Sequence, residues 1–251
     1  MRQAAHCAGC NTPLEFDLGM AFQPIVDIGE RGILAYEALV RGPGGEPAAS
    51  VFERVTDANR YAFDQRCRVR AVESAARLGM QTRLSINFMP NAVYEASRCL
   101  RTTLDAARTT GFPVDRIIFE ATEGERVEDT KQLLTILAEY KRHGFQTAID
   151  DFGAGYAGLN LLAEFQPDLV KLDMGLVRSI DAHHPRQAIV AGIVGICRNL
   201  GIRVVAEGVE TRGEIEMLKH LGVSLMQGYV FARPAFEELV YVDWSAASRA
   251  A

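Results

Sequence analysis

Only seven residues, Asp27 to Ile33, separate the first two strand-like runs of this 251-residue chain, whereas each later interval is long enough to hold a helix. Eight runs rich in β-branched and aromatic residues stand near Ala21–Val26, Leu34–Arg41, Arg83–Met89, Arg116–Ala121, Gln146–Asp151, Leu169–Asp173, Arg203–Glu207 and Leu225–Phe231. Helical patterns fill the later intervals. Val127–His143 spaces Leu133, Leu134, Ile136 and Leu137 helically before Gly144, and Gln187–Leu200 does the same before Gly201. Strands alternating with helices imply parallel pairing, and eight of them imply closure into an α/β, TIM-like (β/α)8 barrel. A parallel crossover needs about a dozen residues or more, so the seven-residue interval can only be a hairpin. The sequence therefore predicts a barrel whose first strand is antiparallel to the second. Residues 18–245 form that single domain, behind an N-terminal tail, 1–17.

Composition agrees with a globular protein holding a sizeable core: 48% of residues are apolar and 24% charged. A net charge of −5 argues against a nucleic-acid polymer or an anionic membrane as the partner. No apolar run reaches the roughly 20 residues a membrane span requires, and Met1–Cys7 has no secretory apolar core. The five cysteines are an odd number, with Cys67, Cys99 and Cys197 in helical patterns, which reads as reduced thiols in a cytoplasmic protein. Cys7 and Cys10 form half of a zinc motif that has no second Cys-x-x-Cys, so the tail is expected to carry two exposed thiols.

Chemistry in such barrels sits where the strands end. There the sequence offers Glu37, Asn87, Glu120, Asp150-Asp151, Lys171-Leu172-Asp173, Glu207 and Gln227 in strand order. A single acidic residue at a strand end is ordinary, but polar groups ending seven strands in succession are not. Glu37, Asn87, Glu120, Asp150, Asp151 and Glu207 are all oxygen donors, which suits Mg²⁺ or Mn²⁺ far better than zinc. Five carboxylates exceed the needs of one divalent ion, and adjacent carboxylates such as Asp150-Asp151 could bridge two ions about 4 Å apart. Two look-alikes are rejected. Gly153-Ala154-Gly155-Tyr156-Ala157-Gly158 has dinucleotide-loop spacing, with Asp173 20 residues after Gly153, but two carboxylates immediately before it would repel a pyrophosphate. Asp151-Phe152-Gly153 lacks the other elements of a kinase.

The motifs Gln23-Pro24, Glu37-Ala38-Leu39-Val40-Arg41, Glu120-Ala121-Thr122-Glu123, Asp150-Asp151-Phe152-Gly153-Ala154-Gly155-Tyr156, Lys171-Leu172-Asp173, Ala206-Glu207-Gly208-Val209-Glu210 and Gln227-Gly228-Tyr229 resemble those of EAL-domain cyclic di-GMP phosphodiesterases. The resemblance spans residues 18 to 240. It implies a barrel with one reversed strand and hydrolysis of cyclic di-GMP to linear pGpG by water activated on two metals. It implies that Glu37, Asn87, Glu120 and Asp150 hold one ion and Asp150 and Asp151 the other, with Glu207 nearby. It makes Lys171 the contact of the attacking water, and Lys171, Glu37 and Glu207 the catalytic set. Arg41, Gln23, Gln227 and Asp173 are then the substrate contacts, and Glu123 the anchor of the loop after Asp151. The family also implies a homodimer formed near Leu176–Ile180. Read from chemistry alone, Lys171 is either this water contact or a plain ion-pair partner of Asp150 or Asp151. A second reading keeps the pocket but not the reaction: a catalytically silent cyclic di-GMP receptor. The chain departs from the family at Ala154, Ala157 and Gly158, where hydroxyl residues are common, and at Gly42, where an aromatic often follows the arginine.

Overall fold

The hairpin is present. In a computed structural model, which describes residues 14–90, 96–122, 130–155, 158–242 and 244, β1 (Gly19–Asp27) runs antiparallel to β2 (Gly32–Arg41), with Gln23 opposite Glu37. Asp27 makes the turn: its Oδ1 accepts from the backbone N–H of Gly29 at 3.0 Å and of Glu30 at 3.3 Å. From β2 the sheet continues in parallel through β3 (Arg83–Asn87), β4 (Ile117–Thr122), β5 (Gln146–Phe152), β6 (Leu169–Leu172), β7 (Arg203–Ala206) and β8 (Leu225–Met226). β8 then pairs antiparallel with β1, which closes an eight-stranded barrel with one reversed strand, as expected.

Helices α1 (Ala48–Phe52), α2 (Arg60–Arg77), α3 (Ala96–Thr110), α4 (Thr130–Arg142), α5 (Gly158–Glu164), α6 (Met174–Val177), α7 (His184–Leu200) and α8 (Arg212–His220) intervene between the strands. The main core lies between them and the barrel, around residues such as Phe22, Phe119, Tyr140 and Leu172. The caps expected at Gly144 and Gly201 are left-handed, at φ 88° and 73°. Thr211 and Glu214 form a capping box on α8, and Glu214 also accepts from Ser179 N and Glu210 N at 2.8 Å each. Cys67, Cys99 and Cys197 are free thiols on α2, α3 and α7. Cys7, Cys10, Glu123, Tyr156 and Ala157 lie outside the described residues. Among the described residues, no helix is long and apolar enough to cross a membrane.

One expectation needs correction. β8 stops at Met226, not Phe231, because Gly228 presses against the Val209 backbone, and Val209 N donates to Gln227 O at 3.1 Å. A Cβ at position 228 would overlap those backbone atoms. The lost edge is taken up by β9 (Ala235–Phe236), which pairs with β1 at Ala21 and Phe22. Gly228→Ala is accordingly expected to cost about 3 kcal/mol, the upper range of overpacking, read as a lower urea midpoint. An unchanged midpoint would show that the two segments can separate freely. Within Leu176–Ile180, where the family implies a dimer contact, Val177 and Ile180 are fully buried. Exposed apolar residues stand beside it at Met174 of α6 and on α7 at Ile189, Ile196 and Leu200.

Candidate active site

The barrel interior is built in layers. Ile25, Ala35, Ile118, Ala148, Leu169, Val205 and Leu225 form a separate apolar cluster inside the strands. Side chains two residues apart on a strand share a face, so the next inward layer toward the strand ends is fixed by this plug. Two positions on, it reads Glu37, Glu120, Asp150, Lys171, Glu207 and Gln227. On the reversed β1 it is two positions back, at Gln23. Each polar residue thus stands directly above an apolar one that excludes water from below.

Lys171 is the hub of this layer. Its ammonium, 1% exposed, lies 2.7 Å from Glu207 Oε1, 2.8 Å from Glu120 Oε2, 3.0 Å from Asp150 Oδ1 and 3.4 Å from Glu37 Oε2. Glu37 is crosslinked further, accepting from Asn87 Nδ2 and from Gln227 Nε2 at 2.8 Å each. Gln227 Nε2 also donates to Gln23 Oε1 at 3.3 Å, and Gln23 Nε2 to Ala232 O at 3.2 Å. Lys171 therefore contacts more than the single Asp150 or Asp151 of a plain ion pair.

Adjacent residues on a regular strand point to opposite faces, so Asp150 and Asp151 could not both look inward. A bulge resolves this. Ile149 pairs with Val170 and Phe152 with Leu172, leaving both aspartates opposite Lys171 alone. Asp151 takes the left-handed conformation, φ 53°, uncommon for a residue with a side chain. Oxygens of Asp150, Asp151 and Glu207 consequently fall within 4.8 Å of one another. Glu37 and Glu120 join the cluster through Lys171 and are not part of that closest group.

Burial would lower the pKa of Lys171, but the four carboxylates outweigh it and hold the ammonium well above its ordinary range. The carboxyls respond oppositely. Burial, with Glu37 and Asp150 adding repulsion against the pull of Lys171, pushes Glu120 up to about 8. Burial likewise raises Glu207 well above the usual carboxylate range. Asp151 rises to about 6 through burial, then through Asp150 and Asp173. This surplus of acid around one lysine is the electrostatic condition for binding more cations. The donors are hard oxygens, and Asp150 Oδ1 is buried near the ammonium without the alignment of a hydrogen bond. The set fits divalent ions of the Mg²⁺ and Mn²⁺ kind.

The substrate residues inferred from the motifs fall on two sides. Gln23 and Gln227 border a cleft of about 240 Å³ together with Glu37, Asp151, Glu207 and Tyr229. Arg41 ends β2 beside a more apolar cavity of about 500 Å³, shared with Leu39, Asn87 and Met89, and its Nη1 donates to Val40 O at 2.7 Å. Asp173 caps α6, accepting from Gly175 N at 2.8 Å. Ser85 was not singled out from the sequence, yet its Oγ donates to Glu120 Oε1 at 2.5 Å. Its position two residues before Asn87, on the same strand face, is the signal that points to it.

The EAL domain family model matches residues 14–234. The chain is 32% identical over 225 residues to the blue light- and temperature-regulated antirepressor BluF of Escherichia coli, covering 89% of this chain and 56% of BluF. It is 35% identical over 164 residues to the cyclic di-GMP phosphodiesterase RocR of Pseudomonas aeruginosa, covering 65% of this chain and 41% of RocR. The chain thus spans about half the length of these curated relatives. A standalone EAL protein of Vibrio cholerae O395, solved in its c-di-GMP-bound form, superposes with a TM-score of 0.90 at 53% identity, covering 94% of this chain and 100% of that one. BlrP1 of Klebsiella pneumoniae, solved as a manganese and cyclic di-GMP complex, gives a TM-score of 0.84 at 37% identity, covering 90% and 58% respectively. The protein belongs to the EAL domain family.

Proposed function

We propose that the protein is an active phosphodiesterase that opens cyclic di-GMP to linear pGpG. The observation that carries this reading is the polar layer itself: every candidate metal ligand inferred from the motifs is present, and Lys171 stands at their centre. Two divalent ions, Mg²⁺ or Mn²⁺, held by Glu37, Asn87, Glu120 and Asp150 and by Asp150 with Asp151, would offset the phosphodiester's charge and acidify a water. Lys171, held as an ammonium, orients that water by donation and balances charge gathering on phosphorus. A bond forms from water oxygen to phosphorus as the bond to the ribose 3′ oxygen breaks; the water's proton passes to solvent, and the leaving 3′ oxygen takes one up from solvent. Gln23 and Gln227 hold one side of the dinucleotide, while Arg41 offers a bidentate fork to phosphate from the other. Asp173, close enough to Asp151 to help raise its carboxyl, and Glu123 are assigned from the motifs to the substrate and to the loop after Asp151.

Incubation of micromolar enzyme with cyclic di-GMP and Mg²⁺ or Mn²⁺ is expected to yield linear pGpG on chromatography; intact substrate would sink the reading. The raised carboxyls add a pH signature. Glu120, raised to about 8, holds its proton at neutral pH in the metal-free protein and must lose it to bind a cation. Mn²⁺ binding at pH 7 is thus expected to release protons and to tighten as pH rises toward 8. Calorimetry in buffers of different ionisation enthalpy measures this, and a buffer-independent heat would contradict it.

The second reading, a silent receptor or interaction module, draws on the antirepressor BluF. Calorimetric binding without turnover would favour it. A homodimer in the cytoplasm belongs to the primary proposal, supported by the apolar stripe Ile189, Ile196 and Leu200 on α7 and by the three unpaired thiols.

A further inference from the structure

Asn87 is the one neutral donor in the candidate ligand set, and its use depends on where β3 ends. Beyond it the chain leaves the sheet. Phe88 N donates to Glu120 O at 3.1 Å, and Met89 N donates to Asp64 Oδ1 at 2.9 Å. Asp64 belongs to α2, outside the barrel, and is 2% exposed. Arg68, one turn on and wholly buried, places Nη2 2.7 Å from Asp64 Oδ2. Arg68 Nη1 also donates to Cys99 O on α3 at 3.3 Å, where Gln65 Nε2 joins it at 3.4 Å. The two side chains thereby fasten both flanks of the connection from β3 to α3.

Adhesion of α2 does not explain a buried ion pair, because apolar residues of similar volume hold a helix at least as well. Close packing fixes the strand end on one side only, where Phe88 meets the rings of Phe119 and Tyr140. The 500 Å³ cavity borders Ile86, Asn87, Phe88 and Met89, with Asp64 in its wall. The Asp64 carboxylate crosses from helix to strand end where packing leaves a gap.

We propose that Asp64, held by Arg68, is a positioning residue that sets the end of β3 so that Asn87 presents its amide to the metal centre. The inference rests on the metal-dependent reading above and concerns metal affinity before chemistry. Groups that orient a ligand from behind typically change metal affinity by about 10- to 100-fold when removed.

The test measures Mn²⁺ binding, without substrate, by calorimetry. Replacing the pair with apolar residues, Asp64→Leu with Arg68→Met, removes both charges while keeping the branched and the long side-chain shapes, and the melting temperature reports whether the fold survives. Mn²⁺ is expected to bind about 10- to 100-fold more weakly to this variant. In an Asn87→Ala background the same replacement is expected to weaken binding less than about 3-fold, because the positioned group is already gone. Exchange of the Met89 amide in the unmodified protein is a second readout, expected to slow about 10-fold on adding Mn²⁺. Unchanged Mn²⁺ affinity in the folded pair variant, full loss in the Asn87→Ala background, or Met89 exchange indifferent to Mn²⁺ would each overturn the inference alone. Unmodified protein that binds no Mn²⁺ overturns the metal-dependent reading and this inference with it.

Discussion

Lys171→Met is expected to lower turnover of cyclic di-GMP by about two to three orders of magnitude, the range of a lost charge-stabilising donor. It is also expected to destabilise the metal-free protein by about 3–5 kcal/mol, the cost of breaking a buried ion pair. Methionine fills the same volume, so neither effect comes from a cavity. The cause is charge: Glu37, Glu120, Asp150 and Glu207 share one counter-ion within 3.4 Å. Without it their mutual repulsion is uncompensated, and Glu120 and Glu207, already raised in the unmodified protein, hold their protons to still higher pH. A carboxyl raised in this way favours the fold at low pH, and the advantage fades as pH climbs. The deficit of the variant is therefore smallest near pH 5 and grows toward pH 8. Urea unfolding at the two values measures it, and added Mn²⁺ is expected to restore much of the loss. A deficit independent of both pH and Mn²⁺ would mean that Lys171 is not the counter-ion of this layer.

Glu37→Ala is expected to reduce turnover by at least about a thousandfold, roughly 4 kcal/mol of transition-state stabilisation. Glu37 accepts from Asn87 and Gln227 and pairs with Lys171, so its loss leaves three donors without their shared acceptor. Substrate binding is expected to weaken less, since Arg41 and Gln23 remain. Single-turnover rates set beside equilibrium binding separate the two effects. Retained activity would remove Glu37 from the metal site.

The interval Asp27–Ile33 dictated the reversed strand because chain length forbids any other connection. The inward layer was legible because each strand end offers a polar group at the step where its apolar alternation stops. The bulge at Asp150-Asp151 was not legible, for nothing local distinguishes two inward aspartates from one inward and one outward. It takes the pairing with β6 to decide. The early end of β8 depends on Gly228 meeting Val209, and β9 on the edge of β1 that this frees. Both are contacts between distant segments. The clamp from Asp64 to Met89 was missed for the same reason, since an acidic and a basic residue four apart usually mark a solvated helix face.

The central claim is that the strand-end residues hold two divalent ions around Lys171. Crystals soaked with Mn²⁺ and cyclic di-GMP, with diffraction recorded at the manganese edge, test it most directly. Two anomalous peaks about 4 Å apart are expected, one within ligand distance of Glu37, Asn87, Glu120 and Asp150, the other of Asp150 and Asp151. A bound dinucleotide with no manganese peak at these carboxylates would contradict it.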